Sequence, residues 1–311
     1  MDFLFLILGV AGLWLGTELT IGGALAIARR LQLSEFFVGL VILSIGSDLP
    51  ELAVAVDAGI KGLMGRDASG VVVGTSLGSV MAQIGFVLGL TALISYLVLP
   101  RRFVLRHGLV LLGATVLLFL VALDGTVSRV EGLLLVAAYV TYVIVLMNGA
   151  NAPAARPRAV SSGGANSWLA LLSGLTVVIV SSEVTVNSVV HIAHAMQIRE
   201  SVIAVVIIGL GTSLPELSIS LSAIMKRRTE LSVGNIIGSN VLDTLLPIGL
   251  AAVISGVHFE PNLLWIDLPY IFLTTLFVLL LFLQRRGISR LEGVPILLLY
   301  FAYIGVKLWQ F

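Results

Sequence analysis

The sequence predicts an all-α polytopic membrane protein: ten transmembrane helices in two five-helix repeats of inverted topology. Three observations carry that prediction. First, 58% of the 311 residues are hydrophobic and only 11% are charged, with a mean hydropathy of +1.10. A water-facing domain carries roughly 25% charged residues, so this chain cannot cover a solvated surface. Second, the apolar runs are about 20 residues long, the length that crosses a ~30 Å hydrocarbon core as helix. Third, a segment of the first half recurs in the second: Glu18–Leu52 aligns with Glu183–Leu217 at a constant offset of 165, without a gap and with 13 identities in 35 positions.

Taken in order, the runs fall at 3–28, 36–60, 70–98, 103–123, 128–148, 167–195, 200–225, 231–256, 263–284 and 291–310. The Met1-Asp2 start leads straight into apolar residues without a basic region, so the first run reads as a spanning helix and not as a cleaved signal. The one long polar connection, 149–166, is rich in Pro, Ala, Gly and Ser and reads as a flexible cytoplasmic linker. It divides a first repeat, 1–148, from a second, 167–311.

Basic residues orient the spans. With the N-terminus outside, the inner segments hold Arg29, Arg30, Arg101, Arg102, Arg106, Arg156, Arg158, Lys226, Arg227, Arg228, Arg285, Arg286 and Arg290. The outer ones hold Lys61, Arg66, Arg129, Arg199 and Lys307, which completes the 18 basic residues. Both termini are therefore expected outside a cell membrane. Five spans per repeat is an odd number, so the second copy enters the membrane from the opposite side. Repeats of that kind build secondary transporters whose ion sites lie at the midplane, where discontinuous helices of the two halves meet.

The chemistry concentrates in two phrases, Gly46-Ser47-Asp48-Leu49-Pro50-Glu51 and Gly211-Thr212-Ser213-Leu214-Pro215-Glu216. Pro50 has no N–H, so the Gly46 carbonyl loses its helical partner; Pro215 does the same to Gly211. A carbonyl freed at membrane depth has to be satisfied by protein, water or an ion. Ser47 and Glu51, like Thr212 and Glu216, stand one turn apart on a common face. In the spans that follow, Ser79 and Gln83 share a face, as do Ser239 and Asp243. After the first phrase the offset falls to 160, pairing Ser79 with Ser239 and Gln83 with Asp243. Gly74, Gly78, Gly234 and Gly238 leave smooth surfaces for close helix approach. Carboxylates, hydroxyls, one amide and freed carbonyls form an oxygen-rich set suited to a hard cation such as Ca²⁺, which takes about six to eight oxygens. The segments hold no His and the chain no Cys, which argues against zinc or copper.

These phrases, the following GxxxGS segments and the approach Ile27-Ala28-Arg29-Arg30-Leu31-Gln32-Leu33-Ser34-Glu35-Phe36-Phe37-Val38-Gly39 resemble the alpha repeats of the calcium/cation antiporter superfamily. The prokaryotic sodium/calcium exchangers are the nearest likeness. The resemblance implies Glu51 and Glu216 as central calcium ligands. It also implies Ser47, Thr212, Ser213, Ser79, Ser239 and Asp243 around them, and exchange of Ca²⁺ for Na⁺ by alternating access. Two departures stand out. Asp48 replaces the usual hydroxyl residue and adds a carboxylate, and Gln83 replaces the usual Asn. Two carboxylates three residues apart cannot both ionise cheaply at membrane depth, which leaves open H⁺/Ca²⁺ antiport, or antiport of another divalent cation, at the same site.

Moving two charges against about 100 mV costs ~4.6 kcal/mol, so coupling to several monovalent ions is physically sensible. A cation channel is the reading from another class, separable by its lack of counterflow. No nucleophile–base pair has supporting spacing, so no enzyme is expected. No GxxxxGK[ST] loop occurs, so no nucleotide is expected, and no basic arm suggests nucleic acid. The expected partners are membrane lipid and inorganic cations, without a cofactor. Glu18 and Glu183 are expected to tie the first and sixth helices to their neighbours, and His107, His191, His194 and His258 to lie near the interfaces. Asp57 is expected near the outer interface.

Overall fold

The computed structural model describes residues 2–149, 164–196, 209–285 and 287–310. The chain runs as helix α1 (Asp2–Leu31), the bent pair α2 (Glu35–Ser47) and α3 (Leu49–Leu63), α4 (Ser69–Ile94), α5 (Arg101–Val121) and α6 (Arg129–Gly149). The second half supplies α7 (Gly164–Ala195), a short turn at Gly209–Gly211, α8 (Leu214–Met225), α9 (Thr229–Ser255), α10 (Leu263–Gln284) and α11 (Arg290–Trp309).

Among the described residues eight helices are long and apolar enough to cross a membrane, nine if the bent pair is one span. The expected ten spans are therefore not all present in that count. The missing one is the seventh: α8 is too short alone, and the run leading into it (197–208) lies outside the described residues, as do linker residues 150–163 with Arg156 and Arg158, and also Arg199 and Arg286. The second span is interrupted where its proline stands. The span expected over 36–60 with its helix broken by Pro50 is two helices meeting at 47°, because Pro50 occupies the first turn of α3 and the chain leaves helical geometry at Asp48.

Local chemistry sets the helix ends. Asp2 stands in the first turn of α1 and Arg29 and Arg30 in its last, each complementing the helix dipole. Ser34 Oγ accepts the Phe37 N–H at 3.1 Å at the start of α2. A glutamate three residues on caps the start of the last span of each half, reciprocally at Ser128, whose Oγ accepts the Glu131 N–H. The Ser128 N–H donates to Glu131 at 2.8 Å, and the Ser289 N–H to Glu292 at 2.7 Å.

At the core are α9 and α4, the most deeply buried of the continuous spans. α9 packs against α2 to α6 and α8. It crosses α2 nearly backbone to backbone: a Cβ on Gly238 would run into the Leu40 carbonyl, and one on Gly234 into that of Phe36. Small residues are what allow helices to close without side chains between them. α1 and α7 form the most extensive helix pair on the flank of this core.

Four two-residue strands complete the fold: β1 (Leu97–Val98), β2 (Thr126–Val127), β3 (Val257–His258) and β4 (Gly287–Ile288). β1 pairs antiparallel with β4, Leu97 opposite Ile288, and β2 with β3, Val127 opposite Val257. Each sheet joins a loop of the first half to a loop of the second. His107 is not interfacial as expected; it is buried and bonds Tyr142 Oη through Nδ1 at 2.8 Å. The other three histidines are exposed, with His191 3.5 Å from Asp2 and His258 3.8 Å from Asp67.

Candidate functional site

The bend at Asp48 and the break before α8 put two helix N-termini at the centre of the fold. Glu51 lies in the first turn of α3 and Glu216 in the first turn of α8, where the positive end of the helix dipole favours a carboxylate. Both are buried, as are Ser47, Asp48, Ser79, Gln83, Ser213, Ser239 and Asp243. Gly46 and Gly211 are also buried, while Thr212 is half-buried. Asp48, Glu51, Glu216 and Asp243 are all close enough to feel one another's charge. No Lys or Arg is among the described residues that are buried.

Contacts across the two halves join the remaining members. Gln83 Nε2 donates to Asp243 Oδ2 at 3.0 Å, and Ser79 Oγ lies 3.4 Å from Thr212 Oγ1. Ser47 Oγ lies 3.3 Å from the Ser44 carbonyl and 3.4 Å from Asp48 Oδ1, and its single proton serves one of them at a time. Gln83 stands in a wide π-helical turn, Ala82–Val87, a device that re-aims side chains within a helix.

Much of the site's oxygen is left without a partner. Asp48 Oδ2, Glu51 Oε2, both Glu216 oxygens, Asp243 Oδ1, Gln83 Oε1, Ser213 Oγ and Ser239 Oγ are buried without a well-formed hydrogen bond among the described residues, although Glu216 lies against Asp48 and Ser47. Burying an ionised carboxylate without a partner costs several kcal/mol. Oxygens in this number, with no buried cation beside them, suit positive ions that arrive from solution. Among the described residues no three His, Cys, Asp or Glu side chains close on one point as a resident metal centre would require.

A cleft of about 230 Å³ reaches this cluster between α3 and α7. Pro50, Glu51, Val54 and Thr75 line one wall; Ser182, Glu183, Val186 and Asn187 line another, with Gly211, Thr212 and Pro215 at the base. Sequence reasoning treated the Gly211 carbonyl as free, but it accepts Ser182 Oγ at 3.4 Å. The only sequence signal was that Ser182 precedes the repeated Glu183. Tyr139 on α6, buried and within electrostatic reach of Asp48 and Asp243, was also missed. Asn240, next to Ser239, donates to the Ile236 carbonyl at 2.6 Å.

Glu18 holds Lys226 at 2.6 Å, tying α1 to the end of α8 as expected. Glu183 makes no ion pair among the described residues and lines the cleft. Asp57 pairs with Lys61 at 2.6 Å, one turn along α3. Asp67, in the loop after α3, has its pKa held below the ordinary carboxylate value by the hydroxyl and backbone N–H of Ser69.

Comparison with known proteins agrees with this architecture. Residues 1–148 and 166–309 match the family model described as sodium/calcium exchanger protein. The putative antiporter CaxA of Alkalimonas amylolytica is 31% identical, with 96% of each chain covered. The sodium/calcium exchanger MaX1 of Methanosarcina acetivorans is 27% identical over 98% of each. A structure of the sodium-calcium exchanger NCX_Mj soaked with zero Na⁺ and Ca²⁺ superposes with a TM-score of 0.83 at 27% identity, covering 98% of both chains. One soaked with 100 mM Na⁺ and 10 mM Sr²⁺ gives 0.84 at 28%, covering 98% of this chain and 97% of that one.

Proposed function

This chain belongs to the sodium/calcium exchanger protein family, and on that premise we propose how its residues carry the exchange. The protein is a multi-pass membrane antiporter that exchanges Ca²⁺ for Na⁺. Its family is one of transporters. Glu51 and Glu216 bind Ca²⁺ directly. Asp243, Asp48, Ser47, Ser79, Gln83, Thr212, Ser213 and Ser239, with the Gly46 and Gly211 carbonyls, complete the cation sites. The observation that carries this assignment is the set of unpartnered buried oxygens where the two broken helices meet. Ca²⁺ and Na⁺ compete for the same oxygens, so loading one face with Na⁺ displaces Ca²⁺. The cleft beside Glu51 is the access route on one face.

The ten-span, inverted-repeat architecture is part of the proposal, with units 1–148 and 167–311 joined by a cytoplasmic linker, 149–166, and both termini outside a cell membrane. Two features support it. An offset of 160 carries β1 onto β3 and one of 161 carries β2 onto β4. Under that exchange the pair Leu97–Ile288 becomes Val257–Val127, which is the observed register of the other sheet. The ten-span topology also assigns the two loops of each sheet to the same face, as strand pairing demands.

The test is ⁴⁵Ca²⁺ uptake into Na⁺-loaded vesicles. Glu216→Gln is expected to abolish it, by more than about a hundredfold, while the protein stays folded and monodisperse. A flux equal to that of the unsubstituted protein would sink the assignment. Removing the Na⁺ gradient while imposing a pH gradient is expected to leave no flux.

A further inference from the structure

The two faces of the site differ in a way that the repeat makes comparable. Among the described residues the site is open on the face carrying Lys61: α3 does not pack along α7 as α8 does along α1, and the cleft runs between them. On the face carrying Lys226 it is closed. There α8 packs along α1, Ser222 Oγ donates to Thr17 Oγ1 at 3.1 Å, and Lys226 Nζ donates to Glu18 Oε2 at 2.6 Å.

The offset of 165 continues without a gap to Lys61 and Lys226, and begins as early as Thr17 and Ser182. It equates Lys226 with Lys61, Glu18 with Glu183, Thr17 with Ser182 and Ser222 with Asp57. On the open face these positions are paired differently. Lys61 is held by Asp57 on its own helix at 2.6 Å, and Ser182 bonds the Gly211 carbonyl. Glu183 is exposed and, among the described residues, makes no ion pair. Closed and open arrangements of one four-residue unit thus stand side by side in a single molecule.

We propose that Lys226–Glu18 and Lys61–Glu183 are two copies of one ionic latch, made alternately as the two faces of the exchanger close in turn. The inference rests on the exchange reading above. When α3 and α7 close on one another at the Lys61 face, Lys61 leaves Asp57 for Glu183 and Asp57 accepts the Ser182 hydroxyl, while α8 parts from α1 and Lys226 releases Glu18. A carboxylate part-way along a spanning helix needs a partner, and the long Lys stem reaches it from the helix end. Each latch favours one of two discrete packings, the kind of bistable element on which such transitions depend.

The chain has no cysteine, which makes single-cysteine accessibility the direct test. Val54→Cys reports on the open cleft and Ile219→Cys, its repeat partner, on the closed face. Each is placed in the full chain in vesicles and reacted with a membrane-impermeant maleimide from the matching face. Lys226→Gln is expected to slow modification at 54 and speed it at 219, by roughly fivefold; Lys61→Gln is expected to do the reverse. The charge exchange Glu18→Lys with Lys226→Glu is expected to restore the original rates, and it covers the case in which Lys226→Gln folds poorly. Shifts of the same direction in both lysine variants, unchanged rates in both, or no restoration by the exchanged pair would overturn the latch. Absence of Na⁺-driven ⁴⁵Ca²⁺ flux in otherwise unsubstituted protein, with opposite labelling shifts intact, would instead refute the exchange reading and leave the latch standing.

Discussion

The two broken helices at the site are near copies that place their charge differently. Before α3 the phrase holds Ser47 and Asp48, and before α8 it holds Thr212 and Ser213. On the long central helices the order is reversed: α4 carries Gln83 where α9 carries Asp243. Each half still contributes two carboxylates, Asp48 with Glu51 and Glu216 with Asp243. Gln83 and Asp243 are repeat partners, and they touch each other directly at 3.0 Å. Two carboxylates meeting head-on there would repel unless a cation sat between them. An amide at one position satisfies one oxygen of the other, and the second charge of the first half stands at Asp48 instead. The comparison teaches that the halves are alike in charge and unlike in where it sits.

Breaking that balance in steps gives a graded series. The largest effect is expected from Asp243→Asn, which removes the charge that Gln83 supports: ⁴⁵Ca²⁺ exchange should fall by about a hundredfold, comparable with loss of an interaction of roughly 3 kcal/mol to a charged group. Retention of full exchange would show that Asp243 is a structural partner of Gln83 alone. Asp48→Ser makes the first phrase match Ser213 and should act less strongly. Ca²⁺ exchange is expected to persist within about tenfold, with a shallower dependence of flux on Na⁺ concentration because one charge fewer has to be balanced; an unchanged Na⁺ dependence would place Asp48 outside the ion sites. The smallest effect concerns a bridge remote from both phrases. Tyr142→Phe deletes the bond to His107, and a loss of about 1 kcal/mol of stability is expected, read as a lowered unfolding temperature in detergent with exchange nearly intact. A large loss of exchange would join that bridge to the transport cycle.

Much of this was legible before any coordinates. Apolar run lengths located eight continuous spans, and the helix-breaking prolines located the polar centre. Repetition singled out Glu51 and Glu216, since a carboxylate, a proline and a freed carbonyl do not coincide twice within apolar runs by accident. Other features were not legible because they depend on partners distant in sequence. His107 carries no sign of its burial against Tyr142, and Lys307 reads as an interfacial lysine although it holds Asp267 at 2.5 Å with little exposure. The Ser182 bond to Gly211 crosses 29 residues. The bend at Asp48 was half legible: Pro50 predicts a lost hydrogen bond, but the angle comes from what packs on either side.

The sequence alone determined that the chain spans a membrane, where its helices break, and which oxygens break with them. Those are consequences of hydrophobic length and of a missing N–H, both local properties. Tertiary structure decided which oxygens stay unpartnered, which repeat partners meet face to face, and, among the described residues, where the open cleft lies. The two halves carry nearly the same instructions, so nothing in their order says which face is closed; among the described residues, packing of α8 along α1 without a like packing of α3 along α7 breaks that tie.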